Sequence, residues 1–266
     1  MTIKMIAVDM DGTFLNDQKK YDEERFRKIF TQMNEQSIKF VVASGNQYYQ
    51  LRSFFLDYHE HISFVAENGA YILEGTTPLY NGEMSKKLIA EVLDQLYSMT
   101  PENLIVCGKK GAYVHEDITS DIYESAKQYY PKIKKVSSLY QIDDTIFKFA
   151  LSFEENTISN TLKLLNMKLA GRLTAVSSGH GDIDLIIPGI HKANGLKLLQ
   201  ERWLINENEI AAFGDSGNDL EMIQHVSFSY AMGNAQPAIK KAAKYQIGDN
   251  NTDAVLKTIE QLLKTN

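Results

Sequence analysis

Residues Met5–Thr13 read MIAVDMDGT: four apolar residues, two aspartates separated by one residue, and then a glycine and a threonine. The apolar run predicts a buried β-strand, and ligands bind in open α/β sheets just beyond the carboxyl ends of the strands. Because side chains alternate along a strand, Asp9 and Asp11 start on the same side of the backbone, and Gly12 begins the turn that follows. Such a pair can provide one carboxylate for a metal ion and for attack, and another for proton transfer. Taken alone, the motif is also typical of a solvated turn.

Three further stretches follow in an order that is compatible with one site. Ile38–Asn46 (IKFVVASGN) is a second apolar run, and it ends in Ser44 and Gly45. A hydroxyl group with exposed backbone N–H groups suits a phosphoryl oxygen. Lys192 stands at the start of a predicted amphipathic helix. Gly214–Asp219 (GDSGND) follows another short apolar run and supplies two more acids and an amide at a strand-to-helix turn.

Each of these stretches also has a plainer interpretation. Ser44 is a favoured N-cap residue for the helix expected near Gln47. Lys192 taken alone is typical of an exposed helix start, and Asn218 and Asp219 of the first turn of a helix. The occurrence of all four stretches in one order favours a functional site.

With these stretches in place, the chain resembles the haloacid dehalogenase-like phosphatases over essentially its whole length. Within that family it is similar to the Cof-type branch, which carries an inserted α+β cap of the C2 type. Smaller matches are Glu67–Ala70 (ENGA), Ala231–Ala235 (AMGNA) and Asn250–Asp253 (NNTD), and Val42–Gln50 with Asp184–Gly189 resemble bacterial sugar phosphatases of this branch. One departure is Asn46, where many relatives carry arginine. It removes the positive charge expected beside the site at this position and leaves the residues of the core chemistry unchanged.

The resemblance implies hydrolysis through an aspartyl-phosphate, which divides one difficult step into two. Asp9 is the expected nucleophile and Asp11 the expected general acid and base. We expect Mg²⁺ as the cofactor, held by Asp9, Asp215 and the backbone carbonyl of Asp11, because Mg²⁺ prefers carboxylates, waters and substrate oxygens. The expected phosphate-binding residues are Met10, Ser44, Gly45, Lys192 and Asn218. Asp219 is expected to support the site by orienting Lys192 or a metal-bound water.

Helices and strands alternate along the chain, which is typical of a doubly wound sheet with crossover helices. We expect an α/β fold whose mostly parallel, Rossmann-like sheet lies in a catalytic core of residues 1–82 and 188–266. Residues 83–187 change to an αββαβαββ succession, with a helix near Ser120–Tyr130, and predict an α+β cap domain. Its loop Ser177–Asp182 is polar and rich in glycine, so we expect His180 or Asp182 to contact the substrate. A surface hairpin turn is the alternative for this loop.

Composition limits the classes of partner. The chain has 266 residues, enough for a core and a second domain, and its net charge is -6 without a block of lysine and arginine. This charge argues against nucleic acid or an anionic membrane as a partner. The single cysteine, Cys107, excludes an intrachain disulfide and lies in an apolar run. No signal peptide opens the sequence and no apolar stretch is long enough to span a bilayer, so the cytoplasm is the expected location.

The expected function is that of a Mg²⁺-dependent phosphomonoesterase acting on small sugar phosphates. Two alternatives stay open. A sugar phosphomutase would use the same aspartate pair but would produce isomerised sugar phosphate without free phosphate. A non-catalytic sugar-phosphate sensor would bind its ligand without turnover.

Overall fold

The computed structural model describes residues 2–179 and 181–266, which form two β-sheets with helices packed against them. The helices are α1 (Glu23–Glu35), α2 (Tyr48–Ser53), α3 (Lys86–Met99), α4 (Ser120–Lys127), α5 (Ile158–Lys168), α6 (Lys192–Trp203), α7 (Leu220–His225), α8 (Pro237–Ala242) and α9 (Ala254–Thr265). The strands are β1 (Met5–Val8), β2 (Lys39–Ala43), β3 (Ser63–Ala66), β4 (Tyr71–Glu74), β5 (Thr77–Asn81), β6 (Asn103–Gly108), β7 (Ala112–His115), β8 (Ile133–Val136), β9 (Ile146–Ser152), β10 (Thr174–Gly179), β11 (Asp182–Ile186), β12 (Ile210–Gly214), β13 (Phe228–Ala231) and β14 (Tyr245–Gln246). None of these helices combines the length and the hydropathy needed to cross a membrane.

The first sheet has the strand order β14-β13-β12-β1-β2-β3-β4-β5. The pairs from β14 to β3 are parallel, and β4 and β5 extend the sheet as antiparallel strands. Helices α1 and α9 pack on one face, whereas α6 and α7 pack on the other. The predicted doubly wound, mostly parallel sheet is therefore confirmed.

Strand β1 lies in the middle of this sheet and is buried on both faces. Ile6 and Val8 pack toward α1 and α9, while Met5 and Ala7 pack toward α6, as the alternation of side chains along a strand requires. A strand covered on both faces is apolar throughout, which explains the uninterrupted run before the first aspartate. Because β2 and β12 flank β1 in parallel, the residues that follow all three strands meet at one edge of the sheet.

The second sheet has the order β10-β11-β9-β6-β7-β8 and is antiparallel except for the pair β7–β8. Helices α3 and α5 cover one face and α4 covers the other, where Cys107 is buried and free. All six strands fall within the predicted cap range of residues 83–187. The division into two domains at residues 82 and 187 itself stays a prediction.

The predicted cap differs from the structure in two details. The predicted succession omitted β8, whose sequence IKKV places two exposed lysines on an edge strand and so hides the apolar pattern. The helix predicted near Ser120–Tyr130 is present and ends earlier, at Lys127. Pro131 follows Tyr130, and a residue before proline is disfavoured in the helical conformation.

Candidate active site

Lys192 lies between two aspartates at the edge where β1 and β12 end. Its Nζ donates to Asp9 Oδ1 at 2.7 Å and to Asp219 Oδ1 at 2.6 Å, and its side chain is 0% exposed. Burial opposes the charge of the ammonium group, but the two carboxylates outweigh burial and raise the pKa of Lys192. The lysine therefore stays charged, and its charge is directed at these two carboxylates.

Asp219 is bound through both of its carboxylate oxygens. While Oδ1 accepts from Lys192, Oδ2 accepts from the backbone N–H groups of Asp215 at 2.9 Å and Ser216 at 3.1 Å. Gly214 allows this close approach, because a Cβ there would lie 2.7 Å from the Asp219 side chain. These bonds orient Lys192 and leave Asp219 with little remaining capacity for another ligand.

Asp9, Asp215 and Asp219 form an acidic cluster in which one oxygen of each lies within 4.8 Å of the others. Burial, followed by repulsion from Asp219, raises the pKa of Asp215 to about 7 and that of Asp9 well above its usual range. Three carboxylates around Lys192 leave an excess of negative charge that a cation would offset. The donors are all oxygens, which suits a hard divalent cation. Because Asp219 is already bound on both oxygens, Asp9 and Asp215 are the better candidates for ligands.

Asp11 lies outside this cluster and is bound from two sides. Its Oδ1 accepts from Lys19 Nζ at 2.6 Å, and its Oδ2 accepts from Asn46 Nδ2 at 2.5 Å. Burial opposes the charge of Lys19, but the attraction of Asp11 outweighs it and raises the pKa of the lysine. The same ammonium group lies 5.5 Å from the centre of the ring of Tyr129, which follows α4. Sequence reasoning singled out Asn46 but missed Lys19, which stands in a polar loop without a motif.

The predicted phosphate-binding residues lie around the same strand ends. Ser44 Oγ accepts from the backbone N–H of Asn46 at 3.1 Å. The following helix begins at Tyr48 with Gln47 at its N-cap, so the interpretation of Ser44 as the N-cap is wrong. Asn218 accepts from Ser216 Oγ at 2.8 Å through its Oδ1. The Met10 side chain is fully buried in the core, which leaves only its backbone for a ligand.

A cavity of about 510 Å³ lies between the two sheets. From the first sheet it is lined by Asp9, Asp11, Ser44, Gly45 and Asn218. The opposite side, here called the second-sheet wall, is formed by the polar residues Glu102, Asn103, Asp121, Ser125, Lys148, Ser152, Asp182 and Asp184 and by the apolar or aromatic residues Ile105, Ile122, Ala126, Tyr129, Tyr130, Ala150 and Leu151. The predicted specificity residue Asp182 thus lies in the wall, where it accepts from Ser152 Oγ at 2.7 Å. The other predicted specificity residue, His180, lies outside the described residues.

A second cavity, of about 850 Å³, shares no lining residue with the first and contains none of the predicted site residues.

Sequence reasoning missed a buried polar cluster beside this cavity, formed by Lys148, Asp184, Glu67 and Asn68. Lys148 Nζ donates to both carboxylate oxygens of Asp184 at 2.9 Å and to the Gly45 carbonyl at 2.7 Å. The available signal was a lysine inside the apolar strand IFKFALS, since lysine is almost never fully buried unless it is paired. Glu67 and Asp184 stood in family-like motifs to which no role was assigned.

The comparisons with known proteins agree with this geometry. The sequence profile of the haloacid dehalogenase-like hydrolases matches residues 6–259. The chain is 46% identical over 264 residues to the 5-amino-6-(5-phospho-D-ribitylamino)uracil phosphatase of Escherichia coli K12, covering 99% of this chain and 97% of that one. It is 24% identical to the pyridoxal phosphate phosphatase of the same organism, covering 97% and 98%. The crystal structure of SMU.1108c from Streptococcus mutans superimposes with a TM-score of 0.94 at 36% identity, covering 99% of this chain and 100% of that one.

Proposed function

Since this chain belongs to the haloacid dehalogenase-like hydrolases, we propose that it is a Mg²⁺-dependent phosphatase that hydrolyses small polyhydroxylated phosphate monoesters through an aspartyl-phosphate. The observation that carries the proposal is the buried bond between Asp9 and Lys192 beside the cavity. It combines a carboxylate nucleophile with a cation that balances negative charge as the phosphate group arrives. A cytoplasmic location is part of the proposal, because charged phosphate esters do not cross a bilayer unaided.

Asp9 is the proposed nucleophile of the first step. Lys192 binds its Oδ1, so we assign attack on phosphorus to Oδ2. A bond forms between Oδ2 and phosphorus as the bond from phosphorus to the ester oxygen breaks. The Ser44 hydroxyl and the Asn218 amide are assigned to the phosphate oxygens, together with the backbones of Met10 and Gly45. Their contribution is positioning and stabilisation of the transferring group.

Asp11 is the proposed general acid and base. In its protonated form it gives its proton to the departing ester oxygen. Its carboxylate then takes a proton from the water that attacks phosphorus and releases phosphate from Asp9. The contacts of Asp11 with Lys19 and Asn46 support this role, because they hold its carboxyl group at the cavity rather than in the acidic cluster.

Mg²⁺ is proposed to bind Asp9, Asp215 and the backbone carbonyl of Asp11. When bound by these residues, it would supply positive charge that offsets the repulsion between the nucleophile and the phosphate group. The oxygen-only cluster and the raised pKa values of Asp9 and Asp215 support this assignment, since both indicate carboxylates that lack sufficient positive charge. Gly12 matters here, because a Cβ at this position would lie 2.7 Å from Asp215 Oδ2.

The second-sheet wall supports a neutral, polyhydroxylated leaving group. It presents the carboxyl groups of Glu102, Asp121 and Asp182, which accept hydrogen bonds from hydroxyl and amine groups and repel anions, whereas Lys148 in the same wall is already paired with Asp184. The hydroxyl groups of Ser125 and Ser152 add donors and acceptors. A volume of about 510 Å³ accommodates a small metabolite. Sugar phosphates, which the sequence predicts, and the phosphoribityl compound in the name of the Escherichia coli relative both belong to this class.

A panel of phosphate esters tests the proposal. Release of phosphate is measured for hexose and pentose phosphates, for 5-amino-6-(5-phospho-D-ribitylamino)uracil, and for an ester whose leaving group carries a carboxylate, each with Mg²⁺ and with a chelator. We expect Mg²⁺-dependent release that is fastest for the neutral polyhydroxylated leaving groups. Faster release from the anionic ester would contradict the substrate class. Isomerisation without free phosphate would indicate a mutase, and binding without turnover would indicate a sensor.

A further inference from the structure

The second sheet contains an ion pair that is buried against the phosphate-binding residues. Lys148 of β9 and Asp184 of the neighbouring strand β11 are 2% and 3% exposed, and Lys148 Nζ lies 2.9 Å from both oxygens of Asp184. Burial opposes the charge of the lysine, but Asp184 outweighs it and raises the pKa of Lys148. The lysine therefore stays charged.

This pair reaches the first sheet at two points. Lys148 Nζ donates to the Gly45 carbonyl at 2.7 Å, and Asn68 Nδ2 donates to Asp184 Oδ2 at 2.5 Å. Asn68 in turn accepts from Asn218 Nδ2 at 3.0 Å through its own Oδ1. One end of the ion pair thus contacts the loop after β2, and the other end contacts Asn218 through a single intermediate residue.

The contact at Gly45 also determines the surroundings of Ser44. The peptide unit between Gly45 and Asn46 is planar, so its C=O and N–H groups point in opposite directions. Lys148 binds the C=O group, and the N–H group donates to Ser44 Oγ at 3.1 Å. With an acceptor position of this oxygen occupied, the Ser44 hydroxyl proton is directed elsewhere. Fixing the peptide unit therefore restricts the directions in which Ser44 can donate.

We propose that Lys148 and Asp184 are positioning residues for phosphate, which set the Ser44 hydroxyl through the Gly45–Asn46 peptide unit and the Asn218 amide through Asn68. The inference rests on the proposed function, because Ser44 and Asn218 are assigned there to the phosphate oxygens. It makes the second sheet a part of the phosphate site as well as a wall that contacts the leaving group. Phosphate binding then depends on the packing of the second sheet against the first.

Packing at Gly45 supports this positioning role. A Cβ at residue 45 would lie 3.1 Å from both Asn68 Oδ1 and Asp184 Oδ2, so glycine permits the two sheets to approach here. A buried ion pair is a weak source of net stability, because desolvation offsets the attraction of the charges. Net stability therefore does not explain the pair, whereas its contacts with two predicted phosphate-binding segments support a positioning role.

The test measures the affinity for inorganic phosphate by calorimetry in the presence of Mg²⁺, because this probe has no leaving group and needs no turnover. Lys148→Met is expected to weaken phosphate binding by about tenfold or more, since small misplacements of binding groups have large effects. The same factor is expected in kcat/KM for p-nitrophenyl phosphate and for a sugar phosphate. The matched control is Lys134→Met, at an exposed position of β8 in the same sheet, which is expected to leave phosphate affinity unchanged.

Asn68→Gly tests the second path without altering the ion pair. Asn68 has a φ of 56°, which glycine adopts freely, and the variant removes the link between Asp184 and Asn218. We expect a several-fold loss of phosphate affinity. If Lys148→Met does not fold, the Asn68→Gly variant tests the positioning role by itself. Unchanged phosphate affinity in the folded variants, or a loss confined to the sugar phosphate, would overturn the inference. A wild-type protein that releases no phosphate from any ester would instead contradict the proposed function, and its phosphate affinity would still test the positioning role.

Discussion

Lys192 Nζ lies 2.7 Å from Asp9 Oδ1, although the two residues are 183 positions apart in the sequence. The bond joins the carboxyl end of β1 to the first residue of α6, and it is fully buried. A buried lysine between two carboxylates couples the fold to the proposed chemistry, because the same contacts neutralise the acids and hold the nucleophile.

Replacing Lys192 with methionine is expected to reduce both stability and activity. The change leaves Asp9 and Asp219 buried without their cation, and removal of one partner of a buried pair costs about 3–5 kcal/mol. Phosphate release is expected to fall by a factor of about 10² or more, because charge stabilisation of the transferring group is lost. Urea denaturation and phosphate release check the two effects. Lys197→Met, at an exposed position of the same helix, is the control and is expected to change stability by less than about 0.5 kcal/mol.

Asp215→Asn separates metal binding from folding. Burial raises the pKa of Asp215 to about 7, so a neutral amide is expected to be tolerated, and the metal-free variant to be at least as stable as the wild type at pH 8. The wild type is expected to melt at a higher temperature with Mg²⁺, because a ligand that binds only the folded state stabilises it. The variant is expected to lose that increase, whereas Asp57→Asn, at an exposed site, retains it. Equal stabilisation of the wild type and the Asp215 variant by Mg²⁺ would contradict the assignment.

Lys19→Met is expected to affect substrates according to their leaving group. Lys19 holds the proposed general acid Asp11, and alkyl phosphates need protonation of the leaving oxygen whereas p-nitrophenyl phosphate does not. Since general acid catalysis contributes about 10²–10⁴-fold, we expect a loss of about tenfold in kcat/KM for a sugar phosphate and little loss in kcat/KM for the aryl ester, because kcat/KM reports the steps up to departure of the leaving group and not the later step in which Asp11 acts as base. Lys20→Met is the control at the neighbouring exposed position. Equal losses for both substrates would exclude a role through Asp11.

Glu67 makes the stability of the protein depend on pH. Burial raises its pKa from 4.5 to about 7, against the opposing attraction of Lys148. Between these values the folded protein keeps a proton that the unfolded chain has lost, so the contribution of this group is greatest below pH 4.5, falls as the pH rises to 7, and is constant above. The difference corresponds to about 3 kcal/mol.

The variant Glu67→Gln removes this dependence. The free energy of unfolding of the variant relative to the wild type is expected to increase by up to about 3 kcal/mol between pH 4.5 and 8, as measured by urea denaturation at a series of pH values. Other titrating groups cancel in the difference. Parallel pH profiles of the two proteins would show that Glu67 titrates normally in the folded state.

The fold and the convergence of the first group of candidate site residues could be predicted because their signals are local. Each motif follows an apolar strand directly, and in a parallel sheet the ends of neighbouring strands meet, so Asp9, Ser44 and Asp215 converge by topology alone. Lys192 could be assigned only through the resemblance, since a lysine at a helix start is usually exposed.

The remaining site residues could not be predicted because their roles depend on contacts between distant segments. Lys19 becomes a partner of Asp11 only through the path of its loop, and Lys148 meets Gly45 only when the second sheet lies on the first. Strand β8 was missed for a different reason: an exposed edge strand with two lysines lacks the apolar run that marked the others.

The most direct test of the account is the detection of phosphate on Asp9. The variant Asp11→Asn is mixed with p-nitrophenyl phosphate and Mg²⁺, quenched in acid, digested and analysed by mass spectrometry. The good leaving group needs no acid for the first step, whereas the second step lacks its base, so the phosphorylated peptide containing Asp9 is expected to accumulate. Asp9→Asn is expected to give no phosphorylated peptide and no phosphate release. Phosphate release by Asp9→Asn at the rate of the wild type, or a phosphoryl group on a residue other than Asp9, would contradict the account.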